Sequence, residues 1–189
     1  MRHYQGSPRG RPGTDSRVRT VDFLGRDRTC NCEKAMATLI LICGLPGSGK
    51  TTLAKKIECD RPALRLCPDE WMVPLFGEEL HHDQGKFDAC RDPVEEVQWE
   101  VAERALRLGI DVVLENGFWT RADRDKFRAR GQALGAKVEL CFLDVPRDEL
   151  WARLQKRNVD MPPGSFRVTE KQLDQWYAEF EPPTAAELK

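Results

Sequence analysis

Residues 38–58 read TLILICGLPGSGKTTLAKKIE, and this stretch decides the fold of the chain. It begins with an apolar segment of strand character, continues through a glycine-rich turn and ends in a segment of helical composition. The turn matches the pattern G-x-x-x-x-G-K-[ST] at residues 44–51. Directly after a strand and directly before a helix, this pattern is typical of a loop whose backbone N–H groups surround a phosphate. The stretch therefore predicts a phosphate-binding loop.

The residues of this loop have separate expected roles. Glycine at positions 44, 47 and 49 permits backbone conformations that turn successive N–H groups inward, and the following helix N-terminus adds partial positive charge. Lys50 is expected to reach the β- and γ-phosphates of ATP, and the Thr51 hydroxyl is expected to ligate Mg²⁺. The residues expected to contact the nucleotide are Gly44, Leu45, Pro46, Gly47, Ser48, Gly49, Lys50, Thr51 and, at the margin, Thr52.

Strands alternate with helices along the rest of the chain. Apolar segments predict strands at residues 38–43, 64–67, 111–115 and 137–144. Amphipathic segments predict helices at residues 49–58, 93–108, 121–134, 146–157 and 169–180. Asp92 and Pro93 are expected to open the second of these helices, and the capping pair Thr169 and Gln172 the last. This alternation favours a three-layer α/β/α fold with a parallel sheet of four or five strands, which binds ligands where the strand carboxyl ends meet.

The chain has two parts of different composition. Residues 1–35 hold eight Lys or Arg against four Asp or Glu, are rich in Gly and Pro, and show no helical or strand period. They are predicted to be a disordered basic N-terminal extension, with a transit peptide or a weak RNA-binding arm as alternatives. Residues 36–189 are predicted to be the folded domain, with 22 basic against 27 acidic residues.

The composition of the whole chain disfavours several classes of partner. A formal net charge of −1 provides no general attraction to duplex nucleic acid or to an anionic membrane. The longest apolar stretch is far shorter than the roughly 20 residues that cross a bilayer. Seven cysteines, an odd number, argue against a disulfide framework. We therefore expect a cytoplasmic protein with no membrane partner.

Four stretches together resemble a known family: GLPGSGKTT, PDEWM, VVLENGFWTRADRDKFRARGQALGAKVELCFLDVP and ELWARLQKRN. They are similar to the AAA_33 or zeta-toxin-like P-loop kinases, a set that includes phage-type polynucleotide kinase and chloramphenicol phosphotransferase. The resemblance covers about residues 38–181. It implies a kinase-like domain that transfers the γ-phosphoryl group of ATP to a hydroxyl of a small-molecule acceptor. The alternatives are a polynucleotide 5′-hydroxyl kinase, and an ATPase or nucleotide-dependent switch without an acceptor.

Asp69 is the candidate general base. It follows the strand at residues 64–67, at the sheet edge where the γ-phosphate should project, and an Asp at this place acts as the base in the resembled kinases. The alternative is that Asp69 caps the helix that follows it. Apolar and aromatic residues within 71–84 suit a small organic acceptor beside it.

Two clusters of arginines could neutralise charge on the transferred phosphoryl group. Arg121, Arg124 and Arg128 share one helix face, and Arg124 best matches the arginine that the resembled kinases place there. Arg153 and Arg157 occupy the position of the family's lid. Arg124 and Arg157 are the catalytic candidates, together with Lys50 and Asp69. Either cluster could instead be an ordinary solvated helix face with paired carboxylates.

The third strand departs from the pattern of P-loop enzymes, because it ends in Glu115 and Asn116 where a Walker B aspartate is expected. Glu115 could hold Mg²⁺ through water and Asn116 could contact the acceptor, or both could belong to a turn. Asp144 is a second candidate outer-shell carboxylate, but its position favours the N-cap region of the next helix. The identity of the acceptor does not follow from these residues.

Overall fold

The structure, a computed structural model, describes residues 36–77, 84–162 and 166–188. The predicted disordered extension and residues 78–83 of the expected acceptor surface lie outside these ranges. The strands are β1 (Thr38–Cys43), β2 (Ala63–Leu66), β3 (Asp111–Gly117) and β4 (Lys137–Phe142). The helices are α1 (Lys50–Asp60), α2 (Pro68–Phe76), α3 (Gln84–Arg107), α4 (Arg121–Ala133), α5 (Arg147–Asp160) and α6 (Glu170–Glu179).

The four strands form one parallel sheet in the order β2-β3-β1-β4. Strand β1 lies between β3 and β4, with Leu39 opposite Val112 on one side and Val138 on the other. Every residue of β1 is buried. The predicted α/β fold with a parallel sheet is therefore confirmed, and the described part of the chain contributes four strands to it.

Helices cover both faces of the sheet. On one face, Leu41 of β1 belongs to a core cluster that includes Phe127 of α4. On the other face, Ile42 of β1 packs in a cluster with Ala54 of α1. Because β1 is buried on both sides, its sequence is apolar at every position except its first and does not alternate. The layers place the turn after β1 at the sheet edge where the strands end.

Helix α3 begins earlier than the sequence predicts. It runs from Gln84 to Arg107, with Pro93 inside it, so the assignment of Asp92 as N-cap and Pro93 as first helical residue is wrong. Phe87 and Val94 on α3 pack with Met72 of α2 in a separate buried cluster. We attribute the longer helix to this packing, which offsets the hydrogen bond that proline cannot donate. The added turns bring Arg91 and its neighbours within reach of α2.

The remaining element boundaries agree with the predictions to within a few residues. The capping box at the start of α6 is confirmed, since the Thr169 hydroxyl accepts from the Gln172 backbone N–H and the Gln172 side chain accepts from the Thr169 backbone N–H. Across the described ranges, no helix combines the length and apolar character that crossing a bilayer requires.

The segment after α6 packs against α4 and adds no strand within the described residues. Glu181 N donates to Trp119 O at 3.0 Å. Arg124 Nε donates to Glu187 Oε1 at 2.7 Å, and both side chains are almost fully buried. Because burial strengthens an ion pair that is fully hydrogen-bonded, this contact attaches residues 181–188 to the domain.

The Arg124–Glu187 pair should make folding stability depend on pH at the acidic end. The pKa of Glu187 is lowered from 4.5 to about 2, first by the hydrogen bond from Arg124 and then by the Thr184 backbone N–H. A carboxyl with a depressed pKa stabilises the fold above its unfolded pKa, and this contribution is lost as pH falls through the folded pKa. We expect Glu187→Gln to lower the free energy of unfolding at pH 7, and the difference from the unaltered protein to shrink between pH 4.5 and about 2. Urea unfolding at pH 7, 4 and 2.5 measures it, and a constant difference would contradict the assignment.

Candidate active site

The loop between β1 and α1 has the backbone conformation of a phosphate cradle. Gly44, Gly47 and Gly49 have φ values of 152°, 84° and 100°. A β-carbon at Gly44 would lie 2.8 Å from Ser48 Oγ and 3.2 Å from Leu143 O, so no larger residue fits there without displacement. The Gly44 N–H donates to Gly117 O at 3.0 Å, which ties the start of the loop to the end of β3. The loop is therefore held at the sheet edge from both neighbouring strands.

The same loop has unpaired polar groups suited to an anion. Helix α1 begins after Gly49 with no side-chain cap and no acidic residue in its first turn, so its N–H groups and partial positive charge face no carboxylate of their own helix. Ser48 Oγ is buried and has no hydrogen-bond partner among the described residues. A bound phosphate would supply acceptors to these donors, so the residues present fit a nucleotide phosphate.

Lys50 lies folded over this loop. Its Nζ donates to Leu45 O at 3.0 Å. Burial lowers the pKa of Lys50 to about 8, the negative charge of Asp69 opposes the shift, and the positive charge of Arg91 adds to it. Lys50 and Asp69 therefore lie within electrostatic range of each other.

The lowered pKa of Lys50 predicts that nucleotide affinity depends on pH. A triphosphate is bound more strongly by the charged ammonium than by the neutral amine, so affinity should be constant below the pKa of about 8 and fall as pH rises above it. Titration of the protein with a fluorescent ATP analogue from pH 6.5 to pH 9.5 measures the effect. Lys50→Arg is the matched control, because a guanidinium stays charged over this range and its affinity should not change with pH. An unchanged affinity of the unaltered protein at pH 9.5 would contradict the prediction.

Thr51 and Thr52 occupy the first turn of α1 and are exposed. The described residues contain no cluster of three or more His, Cys, Asp or Glu that could hold a metal ion by itself. A magnesium ion on a nucleotide needs few protein ligands, since phosphate oxygens and water fill most of its coordination sphere. The hydroxyl of Thr51, next to Lys50, is therefore sufficient as a direct protein ligand.

Asp69 lies in the first turn of α2 and does not cap it. The N-cap of α2 is Cys67, which makes no side-chain cap hydrogen bond, so the alternative capping role is wrong. Asp69 Oδ1 accepts from Arg91 Nη1 at 2.7 Å. About a third of the Asp69 side chain, 37%, stays exposed. The carboxylate is thus oriented by an arginine and still open to a ligand.

Of the two arginines of α5, Arg153 contacts the cradle and Arg157 contacts Phe166. Arg153 Nη1 lies 3.4 Å from Gly47 O and 3.3 Å from Ser48 O. The pKa of Arg157 is lowered by burial, and the charge of Asp69 opposes this, which places Arg157 near the candidate base. Arg157 donates to Phe166 O at 3.2 Å, its Nε is buried without a hydrogen-bond partner, and no carboxylate among the described residues pairs with it. It has the unbalanced positive charge that a phosphoryl group would neutralise.

Arg124 occupies a different environment from the one expected of a catalytic arginine. It is 1% exposed, and beyond its pair with Glu187 its Nη1 donates to Phe118 O at 3.1 Å and Glu181 O at 2.8 Å. Phe127, three residues on, lies on the same buried face of α4, so the helix turns Arg124 into the interior. Its guanidinium is engaged by the chain itself. The structure therefore does not bring Arg124 together with Lys50 and Asp69 as a free cation.

The carboxylates at the strand ends also have partners that the sequence did not reveal. Glu115 is 4% exposed and accepts from Arg65 Nη1 at 2.8 Å. Arg65 Nη2 also donates to Glu70 at 2.8 Å. The negative charge of Glu115 raises the pKa of Lys50, and Glu115 shares its partner Arg65 with Glu58 and Glu70. Asp144 is exposed and lies two residues before Pro146, the N-cap of α5, so it is in the N-cap region without being the N-cap itself.

Sequence inspection missed two residues next to the candidate base. Arg91 contacts Asp69 directly, and Glu95 accepts from Arg91 Nε at 2.8 Å. The spacing of four residues between them is the ordinary signal of a helical ion pair, which is too common to indicate a site. Their position depends on the packing of α3 against α2, and no local pattern contains that information.

Comparisons with known proteins agree with this geometry. Solved structures that match include a chain of the Pnkp1/Rnl/Hen1 RNA repair complex, with 19% identity, a TM-score of 0.60 and coverage of 79% of this chain and 45% of that one. A gluconokinase from Sinorhizobium meliloti matches with 18% identity, a TM-score of 0.52 and coverage of 80% and 78%. Chaetomium thermophilum Kti12 in complex with ADP-AlF3 matches with 15% identity, a TM-score of 0.56 and coverage of 78% and 82%. At these identities the matches show the fold alone, and the chain spans less than half of the repair-complex chain.

A search of curated protein sequences finds no match. The family model described as AAA_33, an AAA domain, matches residues 39–183. This range is most of the chain and contains the phosphate cradle, the candidate base and both α5 arginines. Together with the parallel sheet and its kinase neighbours, the match shows that this chain belongs to the AAA_33 family and has the P-loop kinase type of fold.

Proposed function

We propose that this protein is an ATP-dependent phosphotransferase that moves the γ-phosphoryl group of ATP to a hydroxyl of a small-molecule acceptor. The observation that carries the proposal is the phosphate cradle between β1 and α1, with Lys50 Nζ against it and the charge of Asp69 acting on both Lys50 and Arg157. Phosphoryl transfer requires a lysine that binds phosphate, a carboxylate that a ligand can reach and an arginine without a carboxylate partner. The kinase-type fold and family support the same reaction class.

Each residue has a proposed role in this reaction. The loop amides and Lys50 bind the β- and γ-phosphates, and Thr51 ligates Mg²⁺, which would neutralise charge on the phosphate oxygens. Asp69 accepts the proton of the attacking hydroxyl. Arg157 stabilises the charge on the transferred group. Arg124 is reassigned from catalysis to anchoring the C-terminal segment.

The arginines of α4 do not supply the basic surface that a polynucleotide kinase would need. Arg121 pairs with Asp125 at 3.4 Å, Arg128 with the same carboxylate at 2.8 Å, and Arg130 with Glu96 at 2.9 Å. Each of these arginines contacts a carboxylate, and residues 36–189 hold 22 basic against 27 acidic residues, whereas strand binding depends on unbalanced positive charge along a groove. We therefore place a small acceptor before a polynucleotide, although one structural neighbour belongs to an RNA repair complex.

Transfer from γ-labelled ATP to a panel of acceptors tests the proposal. The panel contains sugars, nucleosides, antibiotics and oligonucleotides with a 5′-hydroxyl, and the readout is label in the acceptor against label in free phosphate. Label in a small acceptor is the expected result. Label only in free phosphate would instead identify an ATPase or switch without an acceptor.

We also propose that residues 36–189 form the kinase-like domain and that residues 1–35 are a separate basic extension. All residues with a proposed role in binding or transfer lie within residues 36–189.

A further inference from the structure

Arg91 links three elements at the acceptor side of the cluster. Its Nη1 donates to Asp69 Oδ1 of α2 at 2.7 Å, and its Nε donates to Glu95 Oε1 of α3 at 2.8 Å. Its Nη2 lies 3.4 Å from Asn116 O at the end of β3. A planar guanidinium with three fixed partners has little freedom to rotate. Arg91 therefore holds one oxygen of the Asp69 carboxylate and leaves Oδ2 for a ligand.

Asn116 completes this arrangement from the strand. Burial raises the pKa of Glu95, and the charge of Arg91 and the nearby Asn116 side chain oppose this shift. Asn116 Oδ1 is enclosed and has no hydrogen-bond partner among the described residues. An enclosed carbonyl oxygen without a donor is unfavourable, so this atom is suited to accept a hydrogen bond from a bound molecule.

The charges of this group are balanced or negative. The guanidinium of Arg91 contacts the carboxylates of Asp69 and Glu95, so no positive charge remains in excess whether Glu95 is ionised or neutral. Arg157 is the nearby cation without a carboxylate partner in the described ranges, and the proposed function assigns it to the transferred phosphoryl group. Since Lys50 is assigned to the phosphates of ATP, an anionic group on the acceptor would find no unassigned counter-charge in contact with Asp69 among the described residues.

Aromatic rings border the same place. The guanidinium of Arg91 lies 5.8 Å from the centroid of the Phe87 ring, and that of Arg157 lies 5.7 Å from the Phe166 ring. The two rings are 6.0 Å apart, which joins α3 to the segment after α5. Phe87 is buried, so the half-buried Phe166 ring is the aromatic surface suited to the C–H face of a sugar or to a planar base.

We infer that Asp69, Arg91, Glu95 and Asn116 form the acceptor subsite, and that it takes an uncharged polyhydroxy compound such as a neutral sugar or nucleoside. This inference rests on the proposed function and specifies its substrate class. One acceptor hydroxyl donates to Asp69, and a neighbouring hydroxyl donates to Asn116 Oδ1. The first hydroxyl oxygen bonds to the γ-phosphorus as the bond from phosphorus to the ADP oxygen breaks, and the hydroxyl proton passes to Asp69. Arg91 is a positioning residue in this step.

Matched pairs of acceptors test the charge requirement. Neutral hexoses, pentoses and nucleosides are compared with the corresponding sugar acids, sugar phosphates and nucleoside monophosphates, and with a 5′-hydroxyl oligonucleotide, by transfer from γ-labelled ATP. A neutral compound is expected to be the best acceptor, with kcat/KM at least about 10-fold above its charged counterpart. Preference for an anionic acceptor or for the oligonucleotide would overturn the subsite and leave the phosphotransferase assignment standing. Absence of transfer to every compound, with ATP still bound, would overturn both.

Two variants test the named residues. Asn116→Ala should raise the acceptor KM by about 10-fold or more, as expected for one lost hydrogen bond in an enclosed site, with the KM for ATP unchanged. Arg91→Ala should lower kcat more than it raises the KM for ATP, and Arg91→Lys should restore part of that loss. Gln132→Ala, at an exposed position on α4, is the control.

The melting temperature and the affinity for an ATP analogue establish that each variant is folded. The inference would be overturned if Asn116→Ala raised the KM for ATP as much as the KM for the acceptor. It would also be overturned if Arg91→Lys were no more active than Arg91→Ala. Either result would assign these residues a structural role.

Discussion

Replacement of Lys50 by alanine is expected to reduce transfer from ATP by at least about 10³-fold, because one preorganised cation on a transferring phosphoryl group contributes effects of that order. The structure gives the physical reason. Lys50 Nζ lies over the cradle at 3.0 Å from Leu45 O, and its buried charge is balanced in part by Asp69. Single-turnover transfer from γ-labelled ATP measures the chemical step, and calorimetry with a non-hydrolysable analogue measures binding.

Lys55→Ala is the matched control for this variant. Lys55 is an exposed lysine on the same helix, five residues further along, and its removal should leave binding and transfer unchanged. If Lys50→Ala transferred phosphate at the rate of the unaltered protein, the loop would not be the nucleotide site.

The second large effect is expected for Asp69→Asn, which should lower transfer by at least about 10²-fold while nucleotide affinity is kept. The amide is nearly the size of the carboxylate but cannot accept the proton of an attacking hydroxyl. Asp69 is hydrogen-bonded to Arg91 and 37% exposed, so the substitution changes its chemistry with little change in packing. Burst and steady-state kinetics at saturating ATP separate the chemical step from binding.

Asp148→Asn is the control for the charge change itself, because the side chain of Asp148 is 95% exposed and pairs with the neighbouring Arg147 at 3.3 Å. A parallel loss of nucleotide affinity and rate in Asp69→Asn would contradict the base assignment. That result would indicate that the main role of Asp69 is to balance the positive charge of Arg91.

Local patterns predicted much of the fold. The glycines at 44, 47 and 49 have the positive φ that the loop pattern implies, and the capping box of Thr169 and Gln172 forms as expected. The strands were recognisable because a sheet covered on both faces requires continuous apolar runs. These features depend on neighbours within a few residues, so a single sequence contains them.

The candidate site was only partly predictable. Lys50, Asp69 and Arg157 were selected from motif positions and resemblance, and in the structure the charge of Asp69 acts on both of the other two. Arg124 was selected in the same way, yet α4 turns it inward to Glu187. A basic residue on an amphipathic helix gives no sign of which face it occupies until its distant partner is known. That partner lies 63 residues further along the chain.

Sequence alone therefore determined the cradle, the α/β class and the residue types available for phosphoryl transfer, because each follows from short-range conformational preference and periodic apolar patterning. Tertiary structure alone decided which charges are free and which are balanced. It paired Arg91 with Asp69 and Arg65 with Glu115, and it left Arg157 without a carboxylate among the described residues. The reason is that electrostatic balance depends on distances between elements, and those are set by how α3 packs on α2 and how β2 pairs with β3.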